Sequence, residues 1–200
     1  MPRTARRLAV VSGSLAVVLA LVGIPLVTLL APWFAWPANA LSDLGVAPRT
    51  AALFNGTLLV AAALGLPYAW ALWRDATGWA RASGVLFAPT LLLLGGVGAF
   101  PSGSPYHFPA AVGFYLGLTA TLVADGLTRH GTATGRASLA FAALHVGQWA
   151  LWVAGVRVGP GLAVPEFVGA AVLALWVLAL SPVAPLAGGG ESRTGESDRG

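Results

Sequence analysis

LAVVSGSLAVVLALVGIPLVTLL, residues 8–30, is an apolar run of 23 residues without a charged side chain. A helix needs about 20 such residues to cross the hydrocarbon core of a bilayer. The small-x-small triplet ANA, residues 38–40, also fits a signal-peptide cleavage pattern. Hydrophobic regions of signal peptides run only about 7–15 residues, however. We therefore interpret residues 8–30 as a membrane-spanning helix.

The composition of the whole chain favours a membrane protein. Of its 200 residues, 57% are hydrophobic and 9% are charged, against about 25% charged in a typical soluble domain. No soluble fold of this length could bury so much apolar surface, so the expected solvent is lipid. There is no cysteine, which excludes disulfides, thiolate metal sites and cysteine nucleophiles. The arginines stand at segment ends and form no patch, so the net charge of +4 does not indicate a nucleic-acid partner.

Five further apolar runs follow the first, separated by polar, proline-rich or glycine-rich stretches. They predict spans over residues 50–73, 79–100, 108–127, 136–156 and 166–186. Glycines in the third run and the GxxxG of residues 113–117 are typical of close helix packing. The predicted fold is all-α, a polytopic membrane protein forming a single six-transmembrane-helix bundle over residues 1–186. The glycine-rich, charged residues 187–200 predict a disordered cytoplasmic tail.

The distribution of arginines predicts the orientation of the bundle. Six spans place both termini on one face, and nine arginines fall on that face against two on the other. The nine are Arg3, Arg6, Arg7, Arg74, Arg81, Arg129, Arg136, Arg193 and Arg199, and the two are Arg49 and Arg157. The positive-inside rule then predicts cytoplasmic termini in the cell membrane. The loops at residues 31–49, 101–108 and 157–165 would face outward.

The outward loops carry most of the side chains that could bind a ligand or do chemistry. These are Asn39, Ser42, Asp43, Tyr106, His107, Arg157 and Glu166, with Trp33 and Trp36 beside them. One hypothesis places them in a single pocket at the membrane surface. Asp43 or Glu166 would polarise His107, and Ser42 or a water molecule would be the nucleophile.

A structural interpretation stands beside the catalytic one for each of these residues. Ser42 and Asp43 could cap a short helix by accepting hydrogen bonds from free backbone N–H groups. His107, between two prolines, could be a solvated loop residue. Arg157 and Glu166 could form a weak surface pair.

Polar side chains also occur within the predicted spans. Asp125 stands near the inner end of its span, where it can reach water or Arg129. His145 is near mid-span, so it should face the bundle interior and needs a hydrogen-bond partner, for which Asn55 is a candidate. Its role could be proton relay, ligand contact or a neutral interhelical hydrogen bond.

No metal or cofactor is predicted. His107 stands at the outer boundary of the bundle, and His145 is about 15 Å deeper at 1.5 Å per helical residue. The sequence contains no HxxxH or HExxH pattern.

Several short segments resemble one known family. NALSDLG at residues 39–45, followed by LFNG at 53–56, is similar to the signature of the integral membrane proteins grouped as domain of unknown function 998. Phe100-Pro101, PYH at 105–107 and PEFVG at 165–169 fit the same family. The resemblance extends over about residues 8–182. It implies a six-helix membrane protein of a kind found in archaea and bacteria, and brings no established activity.

A second similarity concerns one short element. SDLG, residues 42–45, is similar to a Ser-x-x-Gly element of eukaryotic six-helix proteins of lipid-anchor remodelling and autophagy modulation. It implies no function for this chain.

Three functions follow from these observations as hypotheses. The favoured one is a non-enzymatic bundle that binds membrane lipids, another membrane protein or a second copy of itself at its outer face. An interfacial hydrolase or lipid-modifying enzyme would use His107 with Asp43 or Glu166. A small transporter would need a polar path, which only Asn55, His145 and Gln148 could line.

Overall fold

The computed structural model describes residues 1–186, and all of its regular structure is helical over that range. Six long helices follow one another: α1 Arg3–Leu29, α2 Ala51–Asp75, α3 Ala82–Ala99, α4 His107–Thr128, α5 Ala133–Val153 and α6 Ala163–Leu175. A π-helical turn, Trp176–Leu180, continues α6, and short 3₁₀ turns occupy Leu41–Gly45 and Gly78–Arg81. The predicted all-α membrane-type bundle is confirmed, whereas the tail predicted for residues 187–200 lies outside the described residues.

Membrane-spanning character is strong in five of these helices. Five helical segments of residues 1–186 are long and apolar enough to cross a bilayer: α1, α2, α4, α3 with its preceding turn, and α6 with its π turn. Helix α5 has 21 residues and is also long enough. Its hydropathy is lower because it carries Arg136, His145 and Gln148.

The sixth helix differs from its predicted span of residues 166–186. It begins at Ala163 because Pro165 lies in the first turn, where a missing backbone N–H costs no helical hydrogen bond. It ends at Leu180, and Ser181 is extended, with ψ 160°. A residue before proline avoids the helical region, and Pro182 follows. The predicted extension to residue 186 is therefore wrong.

Glycines bring neighbouring helices into close contact, as predicted from the third and fourth runs. A methyl group on Gly84 would lie 2.7 Å from the Trp73 backbone nitrogen. One on Gly98 would lie 2.8 Å from the Asn55 carbonyl oxygen. Gly117 of α4 packs against Thr90 of α3 in the same way. These contacts hold α2, α3 and α4 side by side without room for larger residues.

The bundle has two distinct ends. The terminal end holds the start of α1 and the end of α6, where Arg6 of α1 pairs with Asp75 of α2 at 2.6 Å. We call the opposite end, with residues 30–50, 100–106 and 154–162, the loop end. Which end faces the cytoplasm stays a prediction from the arginine distribution.

Candidate functional site

At the loop end, two loops distant in sequence run side by side. The backbone N–H of Gly161 donates to the Pro37 carbonyl at 2.8 Å, and that of Ala163 donates to the Asn39 carbonyl at 2.9 Å. The indole of Trp152 donates to the Gly161 carbonyl at 3.0 Å. These bonds fix the start of α6 against the chain that follows α1.

Asn39 and Asp43 organise the turn that continues from this contact. The Asn39 side chain accepts from the Ala35 N–H at 2.9 Å and donates to Asp43 Oδ2 at 3.1 Å. Asp43 Oδ2 also accepts from the Ala40 N–H at 3.0 Å. Asp43 thus closes the 3₁₀ turn Leu41–Gly45, as the capping interpretation predicts.

A narrow cavity of about 90 Å³ begins beneath this turn and runs into the bundle. Five helices surround it, α1, α2, α3, α4 and α6, whereas α5 contributes no lining residue. On α2 the lining extends from Phe54 to Tyr68. Those positions are about 20 Å apart along a helix at 1.5 Å per residue. The cavity is therefore long compared with its width.

The walls of the cavity are apolar except near its ends. The polar side chains that line it at the loop end are Ser42, His107, Glu166 and Tyr115, and the Tyr115 hydroxyl donates to the Glu166 carbonyl at 3.4 Å. At the other end the Tyr68 hydroxyl donates to the Val177 carbonyl at 2.6 Å and contacts the Ser181 hydroxyl at 2.5 Å. The deep polar group is thus occupied by protein partners, and the polar groups near the loop end mark the other end of the cavity. We call Ser42, His107 and Glu166 the polar rim.

Glu166 and His107 each have one fixed contact and one remaining acceptor. Oε2 of Glu166 accepts from the Leu41 N–H at 2.6 Å, while Oε1 has no hydrogen-bond partner within residues 1–186. Nδ1 of His107 lies 2.8 Å from the Phe100 carbonyl oxygen. Because a carbonyl can only accept, Nδ1 carries a proton, and Nε2 is left without a protein partner within residues 1–186, able to accept from a ligand in the neutral form of the ring.

The predicted carboxylate–histidine contact is not formed. In the described part of the chain, the carboxylate ion pairs are Arg6 with Asp75 and Arg129 with Asp125. No carboxylate oxygen lies within 4.0 Å of His107, and the Phe100 carbonyl orients the ring instead. Ser42 makes no side-chain hydrogen bond within residues 1–186, so no base is hydrogen-bonded to its hydroxyl.

Three further predicted site residues lie away from the cavity. Tyr106 is exposed and packs against Phe100 with ring centroids 5.2 Å apart. Arg157 lies over Trp152 at 5.0 Å, so the interpretation that it pairs with Glu166 is wrong. Asn55 donates to the Gly45 carbonyl at 2.9 Å, and its buried Oδ1 has no partner in the described residues.

His145 is held by its neighbours on α4 and α5 and does not line the cavity. Its Nε2 accepts from the Trp149 indole at 3.2 Å. Its Nδ1 lies 3.0 Å from the Thr119 hydroxyl, which donates to the Tyr115 carbonyl. Both ring nitrogens are therefore used, Nδ1 in a contact between α4 and α5 and Nε2 within α5. Asn55, the partner suggested from sequence, does not take part.

The cavity itself was not apparent in the sequence. Its lining includes small residues on one face of α1, among them Gly13, Ala16 and Ala20. Their spacing of three and four residues is the signal that could have indicated a recessed helix face. Tyr68 and Tyr115 also line it and were not singled out.

A family model described as Protein of unknown function (DUF998) matches residues 14–182. The chain belongs to the DUF998 family. The match covers nearly all of the bundle, including the three residues of the polar rim, and confirms the resemblance seen in the short motifs. No curated protein matches the chain, and no solved structure matches it. The description of the family names no activity, so DUF998 membership brings no reaction with it.

Proposed function

We propose that this protein binds a single membrane lipid, with one hydrocarbon chain inside the cavity and the headgroup at the polar rim. The loop end, in this proposal, faces the outside of the cell membrane. The observation that carries the proposal is the shape and chemistry of the cavity, which is long, narrow, apolar along its length and polar at the loop end. That arrangement is amphipathic in the same sense as a lipid.

The length of the cavity supports a hydrocarbon chain as its occupant. At about 20 Å along α2, it reaches roughly two thirds of the way through a hydrocarbon core of about 30 Å. The walls are formed by residues such as Phe54, Leu58 and Leu91, which offer dispersion contacts and no unpaired polar group. Removing a hydrocarbon chain from among other lipids costs little, so shape complementarity would decide the affinity.

Aromatic side chains at the loop end support a position at the membrane surface. Trp33 is 49% exposed and Tyr106 is 63% exposed. Tryptophan and tyrosine are enriched where the hydrocarbon core meets the headgroups. The polar rim would then lie at the depth of lipid headgroups.

The two other functions suggested by the sequence have less support. A hydrolase needs an activated nucleophile, and His107 has no carboxylate within 4.0 Å. A transporter needs a polar path, but Asn55, His145 and Gln148 do not line the cavity. Lipid binding requires only the cavity and rim that are present.

The proposal is tested by filling the cavity. Ala61 of α2 is 2% exposed and lines the cavity, whereas Ala63 on the same helix is exposed on the outer surface of the bundle. We expect native mass spectrometry of protein in nanodiscs to detect one retained lipid in the wild type and in Ala63→Phe. Ala61→Phe should lose most of it. Equal retention by both variants, or no retained lipid in the wild type, would refute the proposal.

A further inference from the structure

The polar rim has two polar atoms without a protein partner and no arginine. Oε1 of Glu166 and Nε2 of His107 are left without a partner in residues 1–186 by the contacts that hold their other atoms. The Ser42 hydroxyl can accept or donate. Within residues 1–186, no arginine lines the cavity, and the chain contains no lysine.

The arginines of the loop end are placed elsewhere. Arg157 lies over the Trp152 ring at 5.0 Å, which directs its guanidinium to that aromatic face. Arg49 is exposed on the residues leading into α2 and is not part of the lining. A phosphate or carboxylate headgroup at the rim would thus meet the Glu166 carboxylate without a countercharge.

From this charge pattern we infer that the lipid bound in the cavity has a single chain and a hydroxyl or amine headgroup, and carries no negative charge. This inference rests on the proposed lipid binding and adds the chemistry of the headgroup. A hydroxyl or amine donates to the free acceptors of Glu166 and His107. An anionic headgroup would find no countercharge, because no arginine of residues 1–186 lines the cavity, and an unpaired charge removed from water is costly. The ligand class therefore includes long-chain alcohols, monoacylglycerols and long-chain amines, and excludes single-chain phosphates.

The experiment compares headgroups on one hydrocarbon chain. Hexadecanol, hexadecylamine and hexadecyl phosphate compete for the protein in nanodiscs of a diacyl lipid, and native mass spectrometry measures their occupancies. We expect hexadecanol and hexadecylamine to bind. Hexadecyl phosphate should bind more weakly than either, by a factor of at least about ten. Ala61→Phe should remove all three signals.

A matched pair of variants isolates the rim carboxylate. Glu166→Gln keeps an oxygen that can accept from the Leu41 N–H, and at about pH 9, where the carboxyl of the wild type is ionised, it should raise hexadecyl phosphate binding about three- to tenfold. Asp75→Asn makes the same change at the terminal end and outside the cavity lining, so it should leave the selectivity of the wild type.

The outcomes distinguish failure of lipid binding from failure of the predicted headgroup selectivity. If no probe binds but the wild type retains a native lipid that Ala61→Phe loses, lipid binding stands and the headgroup inference fails. If neither probe nor native lipid binds, both fail. If all three bind equally and Ala61→Phe still removes them, the lipid proposal stands and the headgroup inference is overturned. Tighter binding of hexadecyl phosphate than of hexadecanol also overturns it. The selectivity of the wild type is decisive even if a rim variant does not fold.

Discussion

The indole Nε1 of Trp176 donates a 2.9 Å hydrogen bond to the Asp125 carboxylate, and both residues are buried. The Ser138 hydroxyl donates to the same carboxylate at 2.7 Å. Arg129 pairs with Asp125 as the sequence predicts, and also donates to the Leu180 carbonyl at 2.6 Å. One buried charge thus ties α4, α5 and the end of α6 together.

Removing this carboxylate should destabilise the bundle strongly. Asp125→Ala leaves Trp176, Ser138 and Arg129 without their shared acceptor. Breaking a buried ion pair by deleting one partner costs about 3–5 kcal/mol. We expect a corresponding fall in unfolding free energy, measured by denaturant titration in a fixed detergent.

The Arg6–Asp75 pair provides the matched control. It lies at the terminal end, where the Arg6 side chain is 46% exposed. Exposed pairs contribute about 0–1 kcal/mol, so Asp75→Ala should change stability by no more than that. Similar losses for the two variants would contradict the view that the Asp125 network holds the helices together.

The backbone contact of Gly161 leads to a second prediction. A methyl group there would lie 2.5 Å from the Asn39 backbone nitrogen, between the two loops that fix the start of α6. Gly161→Ala should therefore force the loops apart, lower stability by about 1–3 kcal/mol and reduce lipid retention.

Gly147 offers the opposite environment for the same substitution. It lies within α5, and a methyl group there would meet nothing within 4 Å. Gly147→Ala should be neutral, or stabilise by about 0.5–1 kcal/mol through helix propensity. If Gly161→Ala matched it in thermal melting, the loop contact would not be a constraint.

The sequence predicted the ends of some helices accurately and the end of α6 poorly. The bounds of α2 and α4 lie within two residues of the predicted spans because long apolar runs and interfacial residues report directly on lipid exposure. The end of α6 was mispredicted because Pro182 is compatible with either a kink or a stop. Only the conformation of Ser181 distinguishes them.

The candidate site was less accessible to the same reasoning. Hydropathy does not specify which helix faces meet, so the cavity and the partners of His145 could not be derived from composition or spacing. Ser42, His107 and Glu166 were singled out as polar residues in broken loops. Their grouping depends on backbone contacts, such as that between Gly161 and Pro37, which leave no sequence pattern.

The environment of Ser42 predicts that it is not an activated nucleophile. No side-chain hydrogen bond reaches it within the described residues, and His107 is oriented by a carbonyl rather than a carboxylate. Ser42 should therefore resist a fluorophosphonate probe under conditions that label a serine hydrolase completely. Labelling at Ser42 that disappears in His107→Ala would contradict this and favour the hydrolase.

The arginine distribution leads to a prediction about orientation that single cysteines can test. The native chain has no cysteine, so each introduced thiol is the only one. Ser102 and Val158 lie at the loop end, and exposed Thr77 lies between α2 and α3 at the terminal end. In intact cells, a membrane-impermeant maleimide should label Ser102→Cys and Val158→Cys. It should label Thr77→Cys only after permeabilisation, because the positive-inside rule places the arginine-rich end in the cytoplasm. The reverse pattern would mean that the bundle is inverted and that the polar rim lies at the cytoplasmic surface. Labelling of Ser102→Cys and Val158→Cys from opposite sides would show that the two loops do not share one end of the bundle.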